Sequence, residues 1–252
     1  MSQDTVEDSR ALRGQPHGPW LFWSIAFPLL VCGVHAMALW LIPDSTRRWF
    51  NGELGPVETV TALLFLIVAV DALRLVVRLG SRPLPMRAWV RVWFFLFVLG
   101  GVGMFLEESS YGQHWFGFQT PDYFEAHNKQ QEMSLHNLAS DIPSRVLRRV
   151  MEIGLPIFGI LLPAIHLFLR GSYTPGHWPY YVLPKLELTA WILLAASIRP
   201  IRNLYESGAL PPWLGPVGEF QELLWAGALG LYIRVMSRRL LHRPIEPPNS
   251  PS

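Results

Sequence analysis

Six long apolar stretches dominate the pattern of hydrophobic and polar positions along the chain. A helix needs roughly 20 mostly apolar residues to cross the hydrocarbon core of a bilayer. Each stretch comes close to or exceeds that length, which is more than most helices buried in a soluble core need. The pattern therefore predicts an all-α, polytopic membrane bundle with six spans, at about residues 20–42, 57–78, 88–106, 146–169, 179–198 and 217–236.

The segments around these stretches complete the predicted organisation. Residues 1–19 are expected to form a cytoplasmic segment and not a signal peptide, because no short apolar region with a small-residue cleavage site follows them. Residues 243–252 are rich in proline, which is typical of a disordered tail. Residues 20–242 would then form one transmembrane domain, with a cap over residues 107–145. Its fifth span is the weakest prediction, since Pro184, Lys185 and Glu187 interrupt it.

Composition changes this picture only by exclusion. Half of the 252 residues are apolar and 16% are charged, against about a quarter charged in globular domains. Such a chain is neither disordered nor a disulfide scaffold, and Cys32 is its single cysteine. A formal net charge of +2 gives no argument for nucleic acid as a partner. The partner that the composition does indicate is the lipid bilayer.

Arginine placement predicts the orientation, because short loops rich in Lys and Arg face the cytoplasm. Two segments carry the arginines that decide it. The connection from the second to the third span carries Arg78, Arg82 and Arg87, and the C-terminal part of the chain carries Arg234, Arg238, Arg239 and Arg243. Both termini are therefore expected in the cytoplasm, with residues 107–145 outside. For a bacterial chain, this corresponds to a multi-pass protein of the inner membrane.

The segment 107–137 is the most informative part of the chain, since it combines glutamates, histidines, amides and aromatic residues. Aromatic rings at this density suggest a folded cap at the membrane interface. Glu107 and Glu108 end the third span, where the carbonyl end of the helix carries a partial negative charge. Two carboxylates there require a positive neighbour, which would be a metal ion, an arginine or a shared proton.

A helix is predicted over about residues 121–137, with Thr120 as its N-cap and Pro121 as its first residue. Glu132 and His136 are four residues apart, so they would share one face of this helix. That spacing suits two ligands of one metal ion or an acid/base pair. It also occurs in structural polar networks, and this alternative stays open.

These considerations define the candidate site residues. The predicted catalytic residues are Glu107, Glu108, Glu132 and His136, and the predicted metal ligands are Glu108, His114, Glu132 and His136. Supporting polar roles are predicted for Gln113, Asn128, Gln131, Asn137, Glu152 and Arg148. Carboxylate and imidazole ligands suit Zn, Fe or Mn, and the spacing does not choose among these divalent metals.

Charged residues inside spans are costly, and they are therefore suspected of function. Those near the outer ends of the predicted spans are Glu58, Glu152, Glu219 and Glu222, with Arg148, Arg149, Arg199 and Arg202. One hypothesis places them in a cavity shared with Glu107 and Glu108. The alternative gives them structural roles, because carboxylates are favoured at helix N-termini and Arg148 and Glu152 suit an i,i+4 pair.

Two further patterns concern packing and pairing inside the spans. Asp71 and Arg74 are three residues apart at the inner end of the second span, where they are expected to pair. Gly100, Gly101 and Gly103 in the third span permit close approach of a neighbouring helix.

One pattern carries a resemblance. It consists of Glu107-Glu108-x-x-x-Gly112-Gln113, then Thr120-Pro121, then Asn128-x-x-Gln131-Glu132-x-x-Leu135-His136-Asn137. This arrangement resembles a segment of uncharacterised multi-pass bacterial inner-membrane proteins and covers about 31 residues. The resemblance implies a bacterial inner-membrane protein, and it implies no activity.

Three functions agree with these features. The first is a metal-dependent, membrane-embedded enzyme that acts on a lipid or another amphipathic substrate at the outer membrane face. The second is a non-catalytic assembly or scaffold protein, in which the polar residues only order the cap. A cation or proton transporter is the weakest, since the middles of the spans are apolar apart from Asp71. The common nucleotide, hydrolase and redox motifs are absent from the sequence.

Overall fold

The computed structural model describes residues 21–51, 55–84, 86–128, 133–134, 142–170, 177–211 and 217–242. Every regular element within these ranges is helical, which confirms the predicted all-α class for the described part of the chain. Their bounds are α1 (Phe27–Leu41), α2 (Asp44–Phe50), α3 (Pro56–Leu79), α4 (Arg87–Glu108), α5 (Gln113–Phe116), α6 (Asp122–His127), α7 (Ile142–Pro156), α8 (Leu162–Arg170), α9 (Trp178–Val182), α10 (Thr189–Glu206) and α11 (Gly218–His242).

Two π-helical turns extend this set. Phe22–Ala26 precedes α1 without a break, and Ile157–Leu161 joins α7 to α8. Both turns lie beside a proline, Pro28 in the first turn of α1 and Pro156 at the end of α7. Because proline has no N–H to donate, it disturbs the regular hydrogen-bond ladder of a helix.

Four helices are long and apolar enough to cross a membrane: Phe22–Leu41, Pro56–Leu79, Arg87–Glu108 and Arg149–Leu169. They coincide with the first four predicted spans, and they make the chain compatible with an integral membrane protein. The sixth predicted span is also a long helix, α11, but it carries charged residues at both of its ends. The six-span topology therefore stays a prediction.

The fifth predicted span differs from the expectation, because it is not one helix. α9 ends at Val182, the backbone is non-helical over residues 183–188, and α10 begins at Thr189. Side chains of α11 donate hydrogen bonds to the carbonyl groups at this break. The Tyr232 hydroxyl donates to the Val182 oxygen at 2.7 Å, and the Arg239 guanidinium donates to the Leu183 oxygen at 2.6 Å. Non-helical backbone inside a membrane bundle requires such partners.

The centre of the bundle consists of α3, α4 and α11, with α10 packed on α11. α3 and α11 run side by side, and a salt bridge joins Asp71 of α3 to Arg234 of α11 at 3.6 Å. The bundle therefore has two distinct ends. At one end, which we call the glutamate end, α3 and α11 begin and α4 terminates. At the other, which we call the arginine end, α3 and α11 terminate.

Gly101 allows α3 and α4 to approach closely. A Cβ atom on Gly101 would lie 2.9 Å from the Phe65 carbonyl oxygen and 3.0 Å from the backbone nitrogen of Ala69. Both are backbone atoms, so a side chain cannot be accommodated by a change of rotamer. A Cβ atom on Gly100 or Gly103 would meet nothing within 4 Å. Of the three glycines that the sequence offered, Gly101 is the one that makes the contact.

We predict that Gly101→Ala lowers the free energy of unfolding by about 1–3 kcal/mol, because the added methyl group forces α3 and α4 apart. Gly100→Ala and Gly103→Ala are the matched controls, and they should be neutral or slightly stabilising, since alanine is the better helix former. Thermal unfolding of the three variants in detergent measures the difference. Equal stability of all three would contradict this packing.

Candidate functional site

Three carboxylates converge at the glutamate end of the bundle. Glu108 is the last residue of α4, and Glu219 and Glu222 lie one turn apart at the start of α11. One carboxylate oxygen from each lies within 4.8 Å of the others, a separation that a single metal ion can bridge. We call these three residues the glutamate cluster.

The glutamate cluster is poorly solvated. Glu108 is only 5% exposed, and Glu219 and Glu222 are half-buried. The Glu108 and Glu222 side chains are in hydrogen-bond contact, and Glu58 of α3 adds negative charge at the same place. Two carboxylates can make such a contact only when they share a proton or when a cation lies between them, because ionised oxygens repel one another.

The helix ends explain how these residues can occupy one place. Glu58 and Glu219 lie in the first turns of α3 and α11, where the positive end of the helix dipole favours a carboxylate. Glu108 lies at the carbonyl end of α4, where its charge is disfavoured. The dipoles of α3 and α11 therefore offset part of the cost of burying Glu108, while the mutual repulsion of the carboxylates remains.

Glu107 and Glu108 do not form a pair, although the sequence suggested that they act together. Successive residues of a helix point about 100° apart, so the two side chains leave α4 in different directions. The Tyr111 hydroxyl donates to Glu107 Oε1 at 2.5 Å, whereas Glu108 turns towards α11.

The backbone directly after the cluster is strained. Ser110, Tyr111 and Gly112 follow one another at φ 45°, 54° and 82°, which is the left-handed region. Non-glycine residues there cost of order 1–3 kcal/mol each, and they persist where the surrounding structure holds them in place. This turn leads the chain away from α4, and it brings the Tyr111 hydroxyl back to Glu107.

Amide side chains organise the connection that follows. Gln113 Nε2 donates to the Thr120 hydroxyl at 2.6 Å, and Gln113 Oε1 accepts from the Met133 N–H at 2.8 Å. Asn128 Nδ2 donates to the Ser134 carbonyl oxygen at 2.8 Å, and both residues are buried. The described hydrogen bonds of Gln113 and Asn128 therefore stabilise the fold of this connection.

The predicted helix over residues 121–137 is wrong as a continuous element. α6 covers only Asp122–His127, with Pro121 and not Thr120 at its N-cap, and the backbone of Asn128 is extended at φ −93°, ψ 132°. The buried hydrogen bond from Asn128 to Ser134 stabilises this departure from the helix.

Six predicted site residues have no described side chain. Gln131, Glu132, His136 and Asn137 lie outside the described residues, and so do the side chains of His114 and Arg148. The metal pair formed by Glu132 and His136 stays a prediction for this reason.

Glu152 belongs to a separate site. Its Oε2 atom lies 3.0 Å from Arg199 and 3.2 Å from Arg149, at the edge of a cavity of about 110 Å³. Two guanidinium groups thus already balance its charge. Gln221 on α11 faces the same cavity, and its amide donates to the Ala195 oxygen at 2.9 Å. Glu152, Arg149 and Arg199 therefore form a group that shares no residue with the glutamate cluster.

The predicted catalytic and metal-ligand sets omit Glu219 and Glu222, although the hypothesis of a shared cavity places both near Glu108. Their spacing of three residues at the start of a long helix was the available signal. Local spacing does not predict that they lie close to Glu108, because more than a hundred residues separate α4 from α11.

We predict that Tyr111→Phe destabilises the protein by about 1 kcal/mol near neutral pH, because it removes a hydrogen bond to a carboxylate. Burial first, and then the hydrogen bond and charge of Glu107, raise the pKa of the Tyr111 hydroxyl above the ordinary value of a tyrosine. A raised pKa means that this stabilisation is complete below about pH 10 and is lost as the pH rises further. Thermal unfolding from about pH 8 to about pH 11 should show the gap between wild type and variant closing. A gap that does not change with pH would refute the contact.

No family model, no curated protein and no solved structure matches the chain.

Proposed function

We propose that this chain is an integral membrane protein that binds one divalent cation at the glutamate cluster and acts there as a metal-dependent enzyme on an amphipathic substrate. The observation that carries the proposal is the convergence of Glu108, Glu219 and Glu222 within 4.8 Å. A buried carboxylate is expensive unless it is protonated, paired or bound to a metal. Three together, with Glu58 nearby, favour a cation as their common partner.

The ligand type narrows the choice of metal. A set made only of carboxylate oxygens suits Mn, Mg or Ca, whereas imidazole ligands would favour Zn or Fe. Of the metals that the sequence suggested, Mn fits the three glutamates best. A contribution from His114 or His136 would shift the preference towards Zn or Fe.

The position of the cluster supports the substrate class. Glu108 ends a helix long and apolar enough to span a bilayer, so the cluster lies where that helix would leave the hydrocarbon. A cation held there would polarise an ester or phosphoryl oxygen, or would lower the pKa of a bound water. Tyr111 and Glu107 are hydrogen-bonded to each other, and Glu107 adjoins Glu108 in the chain, so this proposal assigns them as the proton donor and acceptor.

A non-catalytic assembly protein is the second candidate, and one set of observations favours it. Gln113 and Asn128 order the connection after α4 through hydrogen bonds that need no ion. This connection also presents Phe116 and Tyr123, whose exposed fractions are 80% and 61%. Exposed aromatic side chains are typical of protein and membrane interfaces. Under this hypothesis the cluster would hold a proton and no metal.

We predict that Glu108→Gln removes the metal from the purified protein. The variant keeps the shape of the side chain but loses the charge that binds a cation. Glu107→Gln is the matched control, because it makes the same change on the neighbouring residue, whose described partner is Tyr111. Elemental mass spectrometry should find about one divalent ion per chain in wild type and in Glu107→Gln, and at least tenfold less in Glu108→Gln.

Two outcomes would contradict the proposal. A wild-type protein without a divalent ion, even after incubation with Mn²⁺, would favour the assembly protein. Full retention of the ion by Glu108→Gln would move the site elsewhere. In that event, the double variant Glu132→Ala, His136→Ala tests whether the ion belongs to the pair that the sequence suggested.

A further inference from the structure

A second, larger cavity lies among α1, α3, α10 and α11. Its volume is about 460 Å³, which falls within the range of small-molecule sites. Apolar side chains supply most of the wall, among them Phe27 of α1 and Leu64 and Ile67 of α3. An occupant of this space must therefore be apolar over most of its length.

Two glycines of α11, Gly227 and Gly230, line this cavity. The Trp191 ring of α10 covers Gly227 so closely that a Cβ atom there would lie 2.1 Å from it. At Gly230, one turn further on, a Cβ atom would meet only Val68 at 3.8 Å, so that position is open. The Trp191 Nε1–H donates to the Trp23 oxygen at 3.0 Å, which joins α10 to the π-helical turn before α1.

The cavity is charged at one end. Arg234 and Arg238, one turn apart on α11, line it towards the arginine end of the bundle, and both are exposed. Asp71 accepts from Arg74 at 3.0 Å and lies 3.6 Å from Arg234. The single Asp71 carboxylate thus contacts two guanidinium groups. Its one negative charge cannot neutralise both Arg74 and Arg234.

We propose that this cavity binds one anionic phospholipid, with an acyl chain against Leu64 and Ile67 and the phosphate at Arg234 and Arg238. Guanidinium groups bind phosphate through paired charge-assisted hydrogen bonds. Basic pockets between transmembrane helices bind anionic headgroups in the same way. An uncharged apolar ligand would not contact the arginines with a complementary charge, and a free phosphate would not cover the apolar wall.

The dimensions agree with this occupant. The lining residues of α11 extend from Leu223 to Arg238, a distance of roughly 22 Å at 1.5 Å per residue. One leaflet of a bilayer contributes roughly 15 Å of hydrocarbon. The cavity wall is therefore long enough for an acyl chain and the start of a headgroup. The arginine end is also the end that the sequence predicts to face the cytoplasm, where anionic lipids attract basic residues.

The test uses the full chain reconstituted with either phosphatidylglycerol or phosphatidylcholine and analysed by native mass spectrometry. The phosphate variant is Arg234→Gln, Arg238→Gln. Its matched control is Arg78→Gln, Arg91→Gln, which removes two exposed charges from the same end of the bundle without touching the cavity. Gly230→Leu is a second variant that fills the apolar part and leaves both arginines in place.

We expect one tightly held phosphatidylglycerol per wild-type chain and per control chain, and no comparable retention of phosphatidylcholine. The bound fraction should fall at least tenfold both in the arginine variant and in Gly230→Leu. Equal retention of the two lipids by wild type would overturn the proposal. So would undiminished binding of phosphatidylglycerol by the arginine variant, or an equal loss in the control. None of these results bears on the glutamate cluster, which lies at the opposite end.

Discussion

The rest of the structure depends on the burial of α11 among its neighbours. This helix begins with Glu219 and Glu222 and ends with Arg234, Arg238 and Arg239, so it cannot face lipid along its whole length at acceptable cost. α3 and α10 pack along it, aromatic side chains of α4 contact its Tyr232, and its apolar middle packs into the core. Each of its charged ends then needs a partner. Glu219 and Glu222 lie in the glutamate cluster, Arg239 contacts the break in the fifth stretch, and Arg234 and Arg238 line the larger cavity.

The two ends meet this requirement differently. At the arginine end, the positive groups find oxygen atoms within the chain: Arg239 donates to the carbonyls freed between α9 and α10, and Arg234 lies beside Asp71. At the glutamate end, the described neighbours of Glu108 are further carboxylates and the positive ends of helix dipoles. A dipole end is equivalent to about half an elementary charge, which falls short of several carboxylates. The proposed cation would balance the remaining negative charge.

Local patterns in the sequence predicted what depends on neighbouring residues. The apolar runs gave the helical class and four candidate spans, and the spacing of Asp71 and Arg74 gave their pair, observed at 3.0 Å. Pro184 marked where the fifth stretch breaks. Spacing alone, however, could not show that Glu108 meets Glu219 and Glu222, because that contact depends on how α4 and α11 pack. Nor could it show that Asn128 ends the helix after Pro121, since a buried bond to Ser134 decides this.

Electron paramagnetic resonance of Mn²⁺ added to the protein in lipid nanodiscs tests the central claim most directly. If the three glutamates share a cation, the sharp six-line spectrum of free Mn²⁺ should disappear when one equivalent is added to the wild-type protein. In Glu222→Gln, which removes the cluster residue in hydrogen-bond contact with Glu108, the six-line spectrum should persist. A six-line spectrum of full intensity with the wild-type protein would contradict the account, and would leave a shared proton as the partner of these carboxylates.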